Sequence, residues 1–234
     1  MKKLITSTTK DKAILKIMED FESLSQLTLQ QLKLLSKLLS LEKIQGTDAR
    51  LNQLNKNEKK LDNYEIKISN RIISTIVLHK PVASELRNIM ACYRMITNLE
   101  RMGDLVLKVV NVLQNLKDTN LLLLNVGDVN KMLAITTEMV SKAIFSFIGH
   151  DKEAAMWTIE NDKIVDEMNR EILKKILHED KFPGGLQKGI LSFIGIKTII
   201  SSIERIADHA AHIAEASIYA YEGTDIRHTD VKSD

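Results

Sequence analysis

The stretches EKKLD at 58–62 and ERMGD at 100–104 return 104 residues later as DKIVD at 162–166 and ERIAD at 204–208. One ungapped offset aligns both pairs. Over 57–104 it yields nine identities: Asn57, Lys59, Asp62, Ile68, Ile72, Ile96, Glu100, Arg101 and Asp104. Matching at background frequency would give roughly three. The chain is therefore a duplicated unit, and the duplication has kept carboxylates. Charge retained at matched positions points to a site rather than to packing alone.

The 234 residues suffice for two repeats of about 100, each able to bury its own core. Two prolines, nine glycines and few aromatics, against abundant Leu, Ile, Lys and Glu, favour an all-helical protein. The single cysteine, Cys92, cannot form an internal disulfide and suits a reducing compartment. The first residues, MKKLITSTTKDKAI, lack the apolar run of a signal peptide. The most apolar run, LLLLNV at 121–126, is too short to span a bilayer. A cytoplasmic protein without direct membrane insertion is expected. A net charge of +2, spread along amphipathic stretches, gives no reason to expect nucleic acid.

Apolar residues recur at helical spacing almost throughout. Ile14, Ile17, Met18, Phe21 and Leu24 open a first helix that reads to about Ile44, where QGTD (45–48) ends it. A second covers about 49–78. HKP at 79–81 breaks it, with Pro81 in the first turn of a third helix that reads to about Lys117. DTNLLLLNVGD (118–128) reads as the link between repeats. Further helices then cover about 128–148, 152–178 and 186–222, interrupted at IGHD (148–151) and EDKFPGG (179–185). The expected fold is all-α: two tandem three-helix bundles over 1–120 and 121–222, followed by a polar tail over 223–234. Short connections favour antiparallel neighbours.

Residues four apart share a helix face. Glu58 with Asp62, Glu100 with Asp104, Asp162 with Asp166 and Glu204 with Asp208 are four doubly acidic faces. Like charges at this spacing cost a few tenths of a kcal/mol per pair, so something should compensate. The Glu58 and Glu100 pairs lie about 20 and 22 residues either side of the first hairpin, and the Asp162 and Glu204 pairs about 19 and 23 either side of Pro183. At about 1.5 Å per residue, each repeat places four carboxylates at one level. Multivalent cations neutralise such clusters, and oxygen donors suit Mg, Ca, Mn or Fe. The bland reading is a solvated face satisfied by neighbours such as Arg101 and Arg205. The copies also differ. The first stripe continues to Lys108, a cation, whereas the second continues to His212, an imidazole ligand, with Glu215 on the next turn. His209, beside the stripe, reads as a hydrogen-bonded structural residue. The second site is the better equipped.

KPVASELR (80–87), NLERMGDLVLKVV (98–110) and IERIADHAAHIAE (203–215) together resemble the PhoU phosphate-signalling regulators across essentially the whole chain. The resemblance implies a cytoplasmic, generally dimeric and non-enzymatic regulator of phosphate uptake. Such a protein acts with the ATPase of a phosphate ABC transporter and with a phosphate sensor histidine kinase, restraining the starvation response when phosphate is plentiful. It further implies metal clusters (Fe, Zn, Mg, Mn or Ca) on Glu100, Asp104, Glu204 and Asp208, with Glu58, Asp62, Asp162 and Asp166 less distinctively matched. Glu85, Arg87, Arg101 and Arg205 would orient carboxylates or contact partners. The chain departs from the family pattern at Glu85, where Asp is usual, and at Leu105, Lys108 and His212. It is a divergent member by this reading.

Two other functions compete. A di-iron carboxylate enzyme would normally carry Glu-x-x-His motifs, and the sequence has none. A metal-free scaffold would dimerise through the stripe Leu24, Leu27, Leu32, Leu35, Leu38 and Leu39, for which intramolecular core is the simpler explanation.

Overall fold

The computed structural model describes residues 8–40, 48–116, 119–178 and 186–226. Within them the chain forms six helices and no strand: α1 (Thr9–Leu39), α2 (Asp48–His79), α3 (Ala83–Asn115), α4 (Asn120–Gly149), α5 (Lys152–Leu177) and α6 (Leu186–Glu222). α1, α2 and α3 pack mutually, as do α4, α5 and α6. The bundles join through α3 against α6 and, less extensively, α1 against α4.

Local chemistry sets several helix ends. The Thr8 hydroxyl accepts from the Asp11 amide while the Asp11 carboxylate accepts from the Thr8 amide, a reciprocal box that satisfies two otherwise unpaired donors. Asp151 caps α5 by accepting from Ala154 N at 3.0 Å. His150, between α4 and α5, takes the left-handed conformation (φ 52°), so the IGHD break is a two-residue reversal. Lys80 (φ 44°) turns the chain before Pro81, and α3 starts at Ala83 rather than at Pro81. α1 ends at Leu39, short of Ile44, with Ser40 as its cap.

The larger correction concerns α4, which begins at Asn120 and absorbs most of the stretch read as a linker. Leu121, Leu122 and Asn125 are buried there, and Asn125 Nδ2 donates back to Leu121 O at 3.0 Å. Gly127 sits on the open side of the helix with nothing near it, so it interrupts no packing. By length and composition α4 could cross a membrane, but half of its most apolar window is buried in the bundle, which accounts for its apolar content. Gly46, Thr47, the EDKFPGG turn with Pro183 and the tail beyond Ile226 lie outside the described residues.

The leucine stripe of α1 is spent inside the chain: Leu24, Leu27, Leu32, Leu35, Leu38 and Leu39 are all buried. Phe21 meets Phe147 of α4 edge-on at 5.2 Å between ring centres, joining the two bundles. Within the second bundle Tyr221 of α6 ties back to α4, its hydroxyl donating to Ser146 O at 2.9 Å. The Cys92 thiol is buried, which pushes its pKa up to about 12 and makes it an inert core residue.

Candidate metal centre

Each acidic cluster forms where the middle and last helices of a repeat approach. In the first repeat Glu58 reaches from α2 towards α3. Its Oε2 accepts from Gln31 Nε2 of α1 at 3.1 Å, while Oε1 is buried with no hydrogen-bond partner. Burial, then the charges of Asp104 and Asp62, push its pKa up to about 8. Glu100 is also raised, by burial and then by Asp104, Glu65 and Asp62. These shifts show that the Glu58, Asp62, Glu100 and Asp104 carboxylates share one electrostatic neighbourhood. Asp62 and Asp104 are exposed, so this cluster opens to solvent.

Its counterpart is tighter. Ligand oxygens of Asp166, Glu204 and Asp208 lie within 4.8 Å of one another, the one group of three or more such side chains that does so among the described residues. Asp162 stands beside them. Its Oδ1 is buried and unpartnered, and burial followed by Asp208, Asp166 and Glu204 raises its pKa to about 7. Glu204 and Asp208 are shifted upward as well, each first by burial. Three converging carboxylates and an orphaned fourth oxygen make a hard, oxygen-rich donor set that fits Mg, Ca, Mn or Fe. A bound cation would relieve both the repulsion and the unsatisfied oxygen.

The difference between copies begins with side-chain length. A Cβ added to Gly103 would lie 2.7 Å from Glu58 Oε2 and would overlap Leu61 Cδ1. The second repeat has Ala207 there, opposite Asp162 and Val165. Where the glycine gains a methyl, both neighbours lose a carbon. All of Leu61, Val165 and Ala207 are fully buried, so the exchange, one carbon short of even, keeps the contact closed in both copies.

Other expected site residues lie partly beside these clusters and partly away from them. His212 is exposed and stands outside the three converging carboxylates, though close enough to Asp208 to act on its pKa. It lines a cavity of about 550 Å³ between α3 and α6 with Arg94, Arg101 and Glu215. His209 Nδ1 pairs with Asn98 Oδ1 of α3 at 2.9 Å, and burial lowers its pKa to about 4, in keeping with a structural role. Glu85 pairs with Lys10 of α1 at 2.6 Å and accepts from Val82 N at 3.3 Å. It closes the start of α3, fifteen residues or roughly 22 Å of helix from Glu100. Arg87 packs at about 3.5 Å from where a Cβ on Gly223 would lie, placing a cation at the C-terminus of α6. Arg101 and Arg205 line the α3–α6 groove with Lys108, and their charges oppose the upward shifts of Glu100 and of Glu204 and Asp208 respectively.

Sequence reading missed Glu65, Asn169 and Gln31. Glu65 raises the Glu100 pKa and accepts from Thr97 Oγ1 at 3.3 Å. Asn169, its counterpart 104 residues on, has a buried Oδ1 without a partner. Both continue the acidic stripe by seven residues, a spacing that shares the face and was there to be read.

A family model for the PhoU domain matches residues 12–113 and 129–217. A phosphate-specific transport system accessory protein PhoU homolog of Burkholderia sp is 30% identical over 200 residues, covering 80% of this chain and 84% of that protein. The PhoU homolog 1 of Methanothermobacter thermautotrophicus is 28% identical, covering 86% and 89%. Crystal structures of PhoU from Pseudomonas aeruginosa and of the phosphate transport system regulatory protein PhoU from Streptococcus pneumoniae each superpose with a TM-score of 0.80. They are 23% and 20% identical, cover 92% and 93% of this chain, and are themselves 99% covered. Paired helical repeats, their matched acidic faces and these similarities agree: the chain belongs to the PhoU family.

Proposed function

We propose that this protein is a metal-binding cytoplasmic regulator of phosphate uptake and phosphate-starvation signalling. It acts as an adaptor to the ATPase subunit of a phosphate ABC transporter and to a sensor histidine kinase, and restrains the starvation response when phosphate is plentiful. The observation that carries the metal part is the convergence of Asp166, Glu204 and Asp208 beside the unpartnered oxygen of Asp162. The regulatory part is supported by relatives named as accessory or regulatory proteins of phosphate transport, which also favours a non-enzymatic role. Asp166, Glu204 and Asp208 would hold the ion, Asp162 would add a fourth oxygen, and the ion would lock α5 to α6. The homodimer expected for the family would use a surface other than the α1 leucine stripe, which is buried.

Metal analysis of protein purified without chelator, beside the double variant Glu204→Ala/Asp208→Ala, tests the metal part. Metal in the parent and its loss in the variant are expected, and equal, negligible metal in both would sink it. Co-purification with the transporter ATPase or the kinase, from cells grown at high and low phosphate, tests the adaptor part. Sedimentation of the full chain tests the homodimer.

A further inference from the structure

The packing of the two bundles brings the matched residues Arg101 and Arg205 into one place. Asn98 of α3 meets His209 of α6, and Val112 and Leu116 of α3 lie against Gly195 of α6. The two helices therefore run antiparallel at constant register. Three residues on from Asn98 is Arg101, and three back from His209 is Ile206, next to Arg205. An antiparallel pair of duplicated helices has one level at which a residue meets its own counterpart. Here that level carries arginine.

Arg101 and Arg205 line a groove of about 400 Å³ with Asp104, Leu105, Lys108 and His209. None of Arg101, Lys108 or Arg205 enters a salt bridge among the described residues. Three cations and one carboxylate thus line a concave site where two helices pack. Arg101 also lies within charge range of Glu100, and Arg205 of Glu204 and Asp208, yet among the described residues neither guanidinium is tied down by an ion pair. An anion between the guanidinium groups offsets their repulsion, and the planar fork of arginine suits tetrahedral oxyanions. Asp104 then selects among them. A carboxylate next to three cations accepts a hydrogen bond from an anion that keeps a hydroxyl and repels one that has none.

We propose that the α3–α6 groove binds inorganic hydrogen phosphate, held by Arg101, Arg205 and Lys108 with Asp104 as acceptor for its hydroxyl. The groove is read from charge and packing alone; the preference for free phosphate over other hydroxyl-bearing oxyanions rests on the regulatory reading above. The groove shares no lining residue with the metal triad, whose carboxylates would repel the same ligand, and Arg205 stands between the two, within charge range of Glu204 and Asp208. It would let the regulator sense phosphate directly.

Calorimetric titration of the full chain as purified, with inorganic phosphate and with metal content measured in every sample, tests this. Saturable binding is expected, with sulfate at least about tenfold weaker. Arg101→Ala/Arg205→Ala should weaken phosphate at least about tenfold at unchanged metal content, in line with the loss of two charge-assisted contacts. Lys108→Ala, a milder exposed change, should weaken it about threefold, so the site stays testable if the double variant misfolds. Lys33→Ala/Lys37→Ala, which removes two exposed charges from α1, should change nothing. Absence of saturable binding, unchanged affinity in the arginine variant, or equal loss in the α1 control would each overturn the site. Tighter binding of phosphoserine than of phosphate, or equal binding of sulfate, would overturn the assignment to free phosphate. Partner co-purification is a separate readout, so the groove can fail while the regulatory role stands, and the reverse.

Discussion

The first acidic cluster is built from Glu58, Leu61 and Gly103, and the second from Asp162, Val165 and Ala207. The same contact between middle and last helix is thus filled in two ways: two carbons leave the neighbours and one is added on the helix that faces them. The longer Glu58 is buried and partly satisfied by Gln31 of α1, while its open companions Asp62 and Asp104 lie in solvent. Both copies keep a buried unpartnered oxygen, Glu58 Oε1 and Asp162 Oδ1, but only the shorter Asp162 stands, among the described residues, beside three carboxylates that converge. Duplicated sequence has diverged into one cluster that leans on Gln31 and solvent and one in which three carboxylates converge.

The largest expected effect tests that division directly. Glu204→Ala/Asp208→Ala should lower metal affinity by more than about 100-fold, beyond what loss of outer-shell support costs. Glu100→Ala/Asp104→Ala should leave most bound metal in place by elemental analysis. Equal losses would abolish the distinction between clusters.

pH provides the second test. Glu58 and Asp162 have folded-state pKa values of about 8 and about 7, above their unfolded values, so the folded state binds more protons. Their contribution is complete below about pH 4 and is lost as pH rises through 7 and 8. Metal-free protein should therefore lose stability between pH 5 and 8, by on the order of 2–3 kcal/mol once residual hydration is allowed for. Chemical denaturation across that range checks it. Glu58→Gln should flatten the upper part of the curve and Asp162→Asn the lower part. A bound cation should reverse the trend, because the metal competes with the protons.

Gly103→Ala should cost about 1–3 kcal/mol by overpacking against Glu58 and Leu61. Adding Glu58→Asp and Leu61→Val recreates the second repeat's solution and should restore most of that loss, read from thermal unfolding. Failure of this rescue would mean that the size exchange is coincidental. The smallest effect is expected at Glu85. Its replacement by Ala removes a partly exposed pair with Lys10 and should cost less than about 1 kcal/mol, with metal content unaltered.

Helical content, the two breaks at HKP and IGHD, and the pairing of acidic faces could be read because each depends on spacing within a short stretch. The start of α4 was obscured because Asn120, Asn125 and Gly127 carry turn chemistry. Only the bundle shows that Leu121 and Leu122 are buried and that Gly127 faces open space. Glu65 and Asn169 share the helical period of the acidic faces but stand seven residues on from Glu58 and Asp162, off the four-residue step that marks the paired carboxylates. Gln31 was not within reach, since nothing local to α1 announces that its amide meets Glu58. The meeting of Arg101 with Arg205 depends on how the bundles dock, which no single repeat encodes.

The constant antiparallel register of α3 and α6 also bears on history. Two like units crossing at one self-matched level are arranged as a two-fold homodimer would be, with the partners joined by chain. Covalent linkage turns an association that dilution would weaken into an intramolecular one. It also frees each half to drift: in a true dimer every substitution appears twice, whereas here Lys108 and His212 could arise on opposite sides of one interface without each other's consent.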